Sequence, residues 1–143
     1  MACMNFYRAA RLPLLLMVLI FAESSIPMDG GPHDIKFLTD LNPNLQNLLH
    51  IPLYACLAFL WFRSFSRLRV NTAKGVVLAL FITILYGSLD EVHQTFVPGR
   101  YGGLIDIYLN TVGAVIGIFL FKLWAHVPFG LSKLDTVKKY KNK

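Results

Sequence analysis

Residues 83–110, TILYGSLDEVHQTFVPGRYGGLIDIYLN, decide the fold. An apolar run turns polar, breaks at Val97-Pro98-Gly99-Arg100 and becomes apolar again. Asp90, Glu91, His93, Gln94, Arg100, Asp106 and Asn110 lie along it. Pro98-Gly99 suits the central pair of a type II turn, in which proline presets φ at the first position and glycine accepts a positive φ at the second. Both flanking segments are hydrophobic enough to enter a bilayer. Ionisable residues at that depth are costly and face a bundle interior or a water-filled cavity, so they mark a candidate site.

The rest of the chain agrees. Its 143 residues are 55% hydrophobic and only 15% charged, with a mean hydropathy of +0.53. The apolar residues come in blocks, which excludes an ordinary soluble domain. The fold class expected is all-α: one small polytopic membrane domain of about four transmembrane helices. Cys3 and Cys56 imply neither a disulfide framework nor a metal-type cysteine pair.

Upstream, Arg8 and Arg11 precede the apolar run 12–22. That is also the shape of a secretory signal with a small-residue cut site near Ala22. Extending the run back through residues 6–10, with both arginines snorkelling to the headgroups, makes it long enough to span. Residues 1–25 are therefore read as a retained first helix or signal-anchor. Residues 23–46 read as an acidic loop punctuated by Pro27, Gly30, Gly31 and Pro32, with His33 solvated.

Asn42-Pro43 is a helix start, and the second helix should run through Phe62 or a little beyond. Pro52 falls inside it, beside His50, and frees the carbonyl of Leu48. Trp61 and Phe62 are expected in an interfacial aromatic belt. After a short basic connection, Asn71 or Thr72 caps a third helix that ends near Gln94. A fourth begins near Gly103 and continues to Trp124. Pro128 stops it, and residues 125–143 form a basic tail.

Charge sets the expected orientation. Twelve of the fourteen Lys and Arg residues lie in the N-terminal segment, the second connection or the region from Lys122 onward. Seven of the eight acidic residues lie in the first connection or at the helix ends that flank the third. By the positive-inside rule both termini are cytoplasmic and the Asp90–Asp106 region faces outward. The basic pI is then a topology signal, and no nucleic-acid partner is expected.

Helical spacing sorts the polar residues into stripes. Thr83, Gly87, Asp90, Glu91 and Gln94 share one face of the third helix, while Ile82, Leu85, Leu89 and Val92 point to lipid. Gly103, Asp106, Asn110, Gly113 and Gly117 share a face of the fourth; Asn47, His50, Tyr54 and Ala58 share one of the second. Gly113-Ala-Val-Ile-Gly117 is a small-xxx-small pattern for close helix packing. The polar members should converge on an outward-opening pocket. Three carboxylates facing one arginine suit proton transfer; the structural alternative is an ion-pair network with Arg100 forking onto the carboxylates. His50, Asp90, Glu91, His93 and Asp106 are hard ligands, but no two-histidine helical spacing exists, so neither a metal nor another cofactor is expected. Ser88 lies off the stripe, which leaves a serine hydrolase unsupported.

These residues resemble the VanZ-like family. Two blocks carry the resemblance: Leu49-His50-Ile-Pro52-Leu-Tyr54, and Asp90-Glu91-Val-His-Gln94-Thr-Phe96-Val-Pro98-Gly99-Arg100 followed by Asp106-Ile-Tyr-Leu-Asn110-Thr-Val-Gly113. The match covers about residues 44–124 of a single domain. One departure is Gln46-Asn47, where family members often have Asp-Lys before the histidine. The resemblance implies a multi-pass protein of the bacterial cytoplasmic (inner) membrane acting at the cell envelope, with glycopeptide resistance by analogy. Its partners would be the lipid bilayer and a lipid-linked cell-wall precursor or lipid headgroup. As an enzyme, it would use Glu91 with His50 as base, Asp90 and Asp106 as further catalytic carboxylates, and Arg100, Gln94, Asn110 and Tyr54 to bind substrate. As a binding or shielding protein, Arg100 would matter more than Glu91. As an assembly partner, the polar cluster would only lock the helices.

Overall fold

The computed structural model describes residues 5–29 and 43–126, with the side chains of residues 43–47 and His126 outside that description. Expectations for Cys3, His33, Asn42, Gln46, Asn47 and the tail beyond residue 126 fall outside the described residues. Four helices and no strands make up the described chain: α1 (Phe6–Ser24), α2 (Pro43–Arg67), α3 (Thr72–Gln94) and α4 (Leu104–His126).

Local chemistry explains the boundaries. The Asn71 side chain accepts from the N–H groups of Ala73 and Lys74, satisfying two orphan donors at the start of α3. At its far end the chain reverses through Pro98-Gly99. Gly99 has φ +75°, and the N–H of Arg100 donates to the carbonyl of Val97 at 3.1 Å, as a type II turn requires. A side chain at Gly99 would also run into the backbone of Met28, whose N–H donates to Pro98 O at 2.9 Å.

The helices run up and down. Gly113 and Gly117 of α4 press against the carbonyls of Ile51 and Ala55, where a Cβ would overlap backbone. The small-xxx-small pattern therefore brings α4 alongside α2 in parallel. Below it, Phe62 and Phe59 meet Phe121 edge-on, with centroids 4.8 and 5.2 Å apart. α3 returns antiparallel to both. α1 lies in the groove between α2 and α3, placing Ala9, Ala10 and Pro13 against α2. Pro13 cannot bond the carbonyl of Ala9, and Ser64 Oγ of α2 lies 2.8 Å from that carbonyl and 2.8 Å from Leu60 O, so the two carbonyls share its one proton.

Trp61 and Phe62 do not form an interfacial belt. They are 4% and 3% exposed, and Trp61 stacks on Phe65 inside the bundle. Both lie on the same face of α2 as Tyr54 and Ala58, so packing determines their position. Ile82 is also half-buried rather than turned wholly outward. Leu85, Leu89 and Val92 of α3 are exposed, as are Val115, Phe119 and Leu123 of α4 and Leu15, Val18 and Leu19 of α1. Large apolar surface on every helix means a lipid surround, not water.

α2 from Leu48, α3 and α4 to Ala125 are each long and apolar enough to cross a membrane. α1 is not among them, since Arg8, Arg11 and Glu23 fall within its 19 residues. Its length of about 28 Å is nevertheless close to the hydrocarbon thickness of a bilayer.

Candidate functional site

The end of the bundle where α1 and α3 finish and α2 and α4 begin carries the polar stripes. Thr83, Gly87, Asp90, Glu91 and Gln94 of α3 are all buried, as are Asp106 and Asn110 of α4 and Tyr54 of α2. Gly87 leaves room for them. A Cβ there would stand 2.9 Å from the Tyr54 ring and 3.1 Å from Asn110 Nδ2.

Asp90 and Glu91 are adjacent on a helix, so they point about 100° apart and enter different surroundings. Asp90 faces α1 and α2. Ser24 Oγ donates to Oδ1 at 2.7 Å, Tyr54 OH donates to Oδ2 at 3.2 Å, and Gln94 Nε2 donates to Oδ2 at 3.1 Å. Three helices each contribute a donor to one carboxylate that is 5% exposed. This is how a buried charge is made tolerable.

Glu91 faces α2 and α4 and is held more loosely. The N–H of Gly103 donates to Oε2 and Asn110 Nδ2 to Oε1, both at 3.3 Å. His50 Nδ1 lies 3.7 Å from Oε1 and 2.9 Å from Asn110 Oδ1. Because the Asn110 amide donates to Glu91, its oxygen must accept, which assigns a proton to His50 Nδ1. His50 Nε2 is then the ring atom free to take a proton. Tyr54 stacks nearly parallel to the imidazole and limits its swing.

Asp106 enters from the first turn of α4. Its Oδ1 is buried without a hydrogen-bond partner among the described residues. It stands close to Gly103, where a Cβ would meet Asp106 Oδ2 at 3.1 Å. Glu91 and Asp106 therefore converge on the same glycine from opposite sides of the turn. Among the described residues no group of three His, Cys, Asp or Glu side chains is placed to hold a metal ion.

Arg100 stands elsewhere. Its Nη2 donates to the Glu23 carboxylate at 2.7 Å and to the Glu23 carbonyl at 2.6 Å, and its Nε donates to Ile26 O at 3.0 Å. It does not fork onto Asp90, Glu91 or Asp106. Arg100 follows the turn and points back across the end of α1, where the Glu23 carboxylate and the carbonyls of Glu23 and Ile26 accept from it. His93 joins it there, stacked on Phe21 and within 3.0 Å of Ser25 Oγ.

Of the residues read from the sequence, His50, Tyr54, Asp90, Glu91, Gln94, Asp106 and Asn110 gather at one end of the bundle, and Arg100 lies to its side. Glu23, Ser24, Ser25 and the backbone of Gly103 had not been singled out. A signal for the first of these was present: Arg100 is the one cation of the third connection and needed a partner, and the first connection, expected on the same side, carries Glu23.

A family model described as VanZ/LLP1 matches residues 10–125, which include all four helices' buried faces and every residue of this cluster. No curated protein and no solved structure matches the chain.

Proposed function

The chain belongs to the VanZ/LLP1 family, and from that premise we propose that it handles a lipid-linked envelope substrate by proton transfer at the His50–Glu91–Asn110 relay. The observation that carries this reading is the relay's asymmetry. His50 Nδ1 is tied to Asn110, Asn110 is tied to Glu91, and no hydrogen bond to His50 Nε2 is seen among the described residues. A base oriented through its far nitrogen by a polar partner, with a buried carboxylate behind it, is an arrangement suited to general acid–base work. Glu91 supplies the negative charge that steadies an imidazolium, and Asn110 keeps the ring in one tautomer.

The setting favours a substrate anchored in the bilayer. Phe96, Tyr101, Leu104 and Tyr108 are exposed around the same end of the bundle, an aromatic and apolar collar of the kind that suits the headgroup region. The charge distribution supports an outward-facing site in the cytoplasmic membrane of a bacterium, with both termini inside and α1 serving as the fourth span. The Arg100 geometry argues against this residue as the anion clamp, because Glu23 already neutralises it.

A second reading, binding without turnover, has its own observation. Among the described residues neither Glu91 nor His50 hydrogen-bonds a serine, threonine or cysteine. Any nucleophile would have to come from water or substrate. The two readings part on one experiment: mass spectrometry of envelope lipids and cell-wall precursors from cells carrying the wild type, Glu91→Gln, or neither, at matched membrane levels. A species changed only by the wild type supports turnover. Identical profiles favour the holding role.

A further inference from the structure

The electrostatics of the pocket narrow its ligand. Asp90 has its three neutral donors and asks for nothing more. Glu91 and Asp106 do not balance: among the described residues no lysine or arginine pairs with either, and the only cationic candidate in reach of Glu91 is His50 at 3.7 Å. Asp106 is 8% exposed, and its Oδ1 has no donor among the described residues. An acceptor that is more than nine-tenths buried and unpaired in a low-dielectric setting is costly unless something arrives to satisfy it.

What arrives must be positive and must donate. A phosphate or carboxylate would meet two carboxylates with Arg100 engaged elsewhere, and like charges at this distance repel. A primary ammonium is compact and has three donors. Gly103 links the two acids: its N–H reaches Glu91 Oε2, and a Cβ on it would stand 3.1 Å from Asp106 Oδ2.

We propose that the site formed by Glu91, Asp106 and Gly103 takes a primary ammonium group, with the Asp106 and Glu91 carboxylates as its acceptors. This deepens the proton-transfer reading and rests on the same site. The ammonium can be borne by a lipid headgroup or by a soluble amine, and the collar at the rim favours the lipid.

The test is ligand protection of the full-length protein in detergent, followed as the shift in its unfolding midpoint. The probes are phosphatidylethanolamine, phosphatidylcholine, phosphatidylglycerol and soluble glycerophosphoethanolamine. A charge-assisted bond to a buried acceptor predicts that the ethanolamine lipid protects at a concentration about tenfold lower than the choline or glycerol lipid. Protection by glycerophosphoethanolamine at the same concentration would assign a soluble amine; protection by the lipid alone would assign the headgroup. Asp106→Asn, checked for an unchanged midpoint without ligand, should bring the three lipids level. Gly103→Ala should weaken the ethanolamine lipid selectively, because the added methyl occupies the seat of the ammonium. Equal or stronger protection by phosphatidylglycerol, or an ethanolamine preference that survives both substitutions, would overturn the proposal. No ethanolamine preference in the wild type, alongside an intact wild-type-only lipid species, would overturn this proposal and leave proton transfer standing.

Discussion

Asp90 and Glu91 are neighbours of the same chemistry, yet one is anchored and the other is poised. Asp90 accepts from Ser24, Tyr54 and Gln94 at 2.7–3.2 Å, and its removal would strand donors on three helices. Glu91 accepts two bonds of 3.3 Å, faces His50 at 3.7 Å, and shares Gly103 with an aspartate whose Oδ1 has no partner among the described residues. The first arrangement is what a membrane bundle needs to tolerate a charge. The second holds a carboxylate at a cost in stability, and the proposed function rests on that arrangement. A one-residue step around a helix separates them, and it turns one acid toward α1 and the other toward α4.

The sharpest way to break this comparison is Asp90→Ala. It leaves a serine, a tyrosine and an amide without their acceptor, and the predicted loss is on the order of 3 kcal/mol or more by detergent unfolding. A loss smaller than that of Glu91→Ala would invert the assignment. Arg100→Ala tests whether the second family-like charge belongs to the same anchoring half. Because Glu23 is 45% exposed at its side chain, the ion pair is partly screened, and the predicted cost is about 1–2 kcal/mol. Hydrogen exchange should localise the effect to residues 23–28, whose carbonyls lose their donor. Exchange quickened instead around residues 103–110 would place Arg100 with Glu91 after all.

Ser24→Ala is the mildest cut on the anchored side. It removes one donor to Asp90 and should cost about 1 kcal/mol. Cells carrying it should keep any lipid species that depends on the wild type. On the other side, Glu91→Gln still accepts from Gly103 or Asn110, so its midpoint should move by less than about 1 kcal/mol. A larger drop would mean that Glu91 also serves mainly to hold the bundle.

Much of this architecture was legible from spacing. Asn71, Pro98-Gly99 and the block lengths located the last two helices nearly to the residue, since capping and turn chemistry are local. The helical stripes identified which polar residues are buried, because one-helix periodicity reports burial. It does not report the partner across the interface. Arg100 was expected among the carboxylates and instead closes over Glu23 and Ile26, and Ser24 completes Asp90 from a helix whose polar end looked like the beginning of a loop. Trp61 failed for the same reason. Its sequence position near a helix end suggested an interface, while its angular position on α2 put it inside.

The most direct test of the division between the two acids is one mass-spectrometric comparison of envelope lipids and precursors. Cells would carry Ser24→Ala or Glu91→Gln at membrane levels matched to the wild type. The account predicts that Ser24→Ala keeps the wild-type species and Glu91→Gln loses it while remaining folded. A folded Glu91→Gln protein that still yields the wild-type species would contradict it.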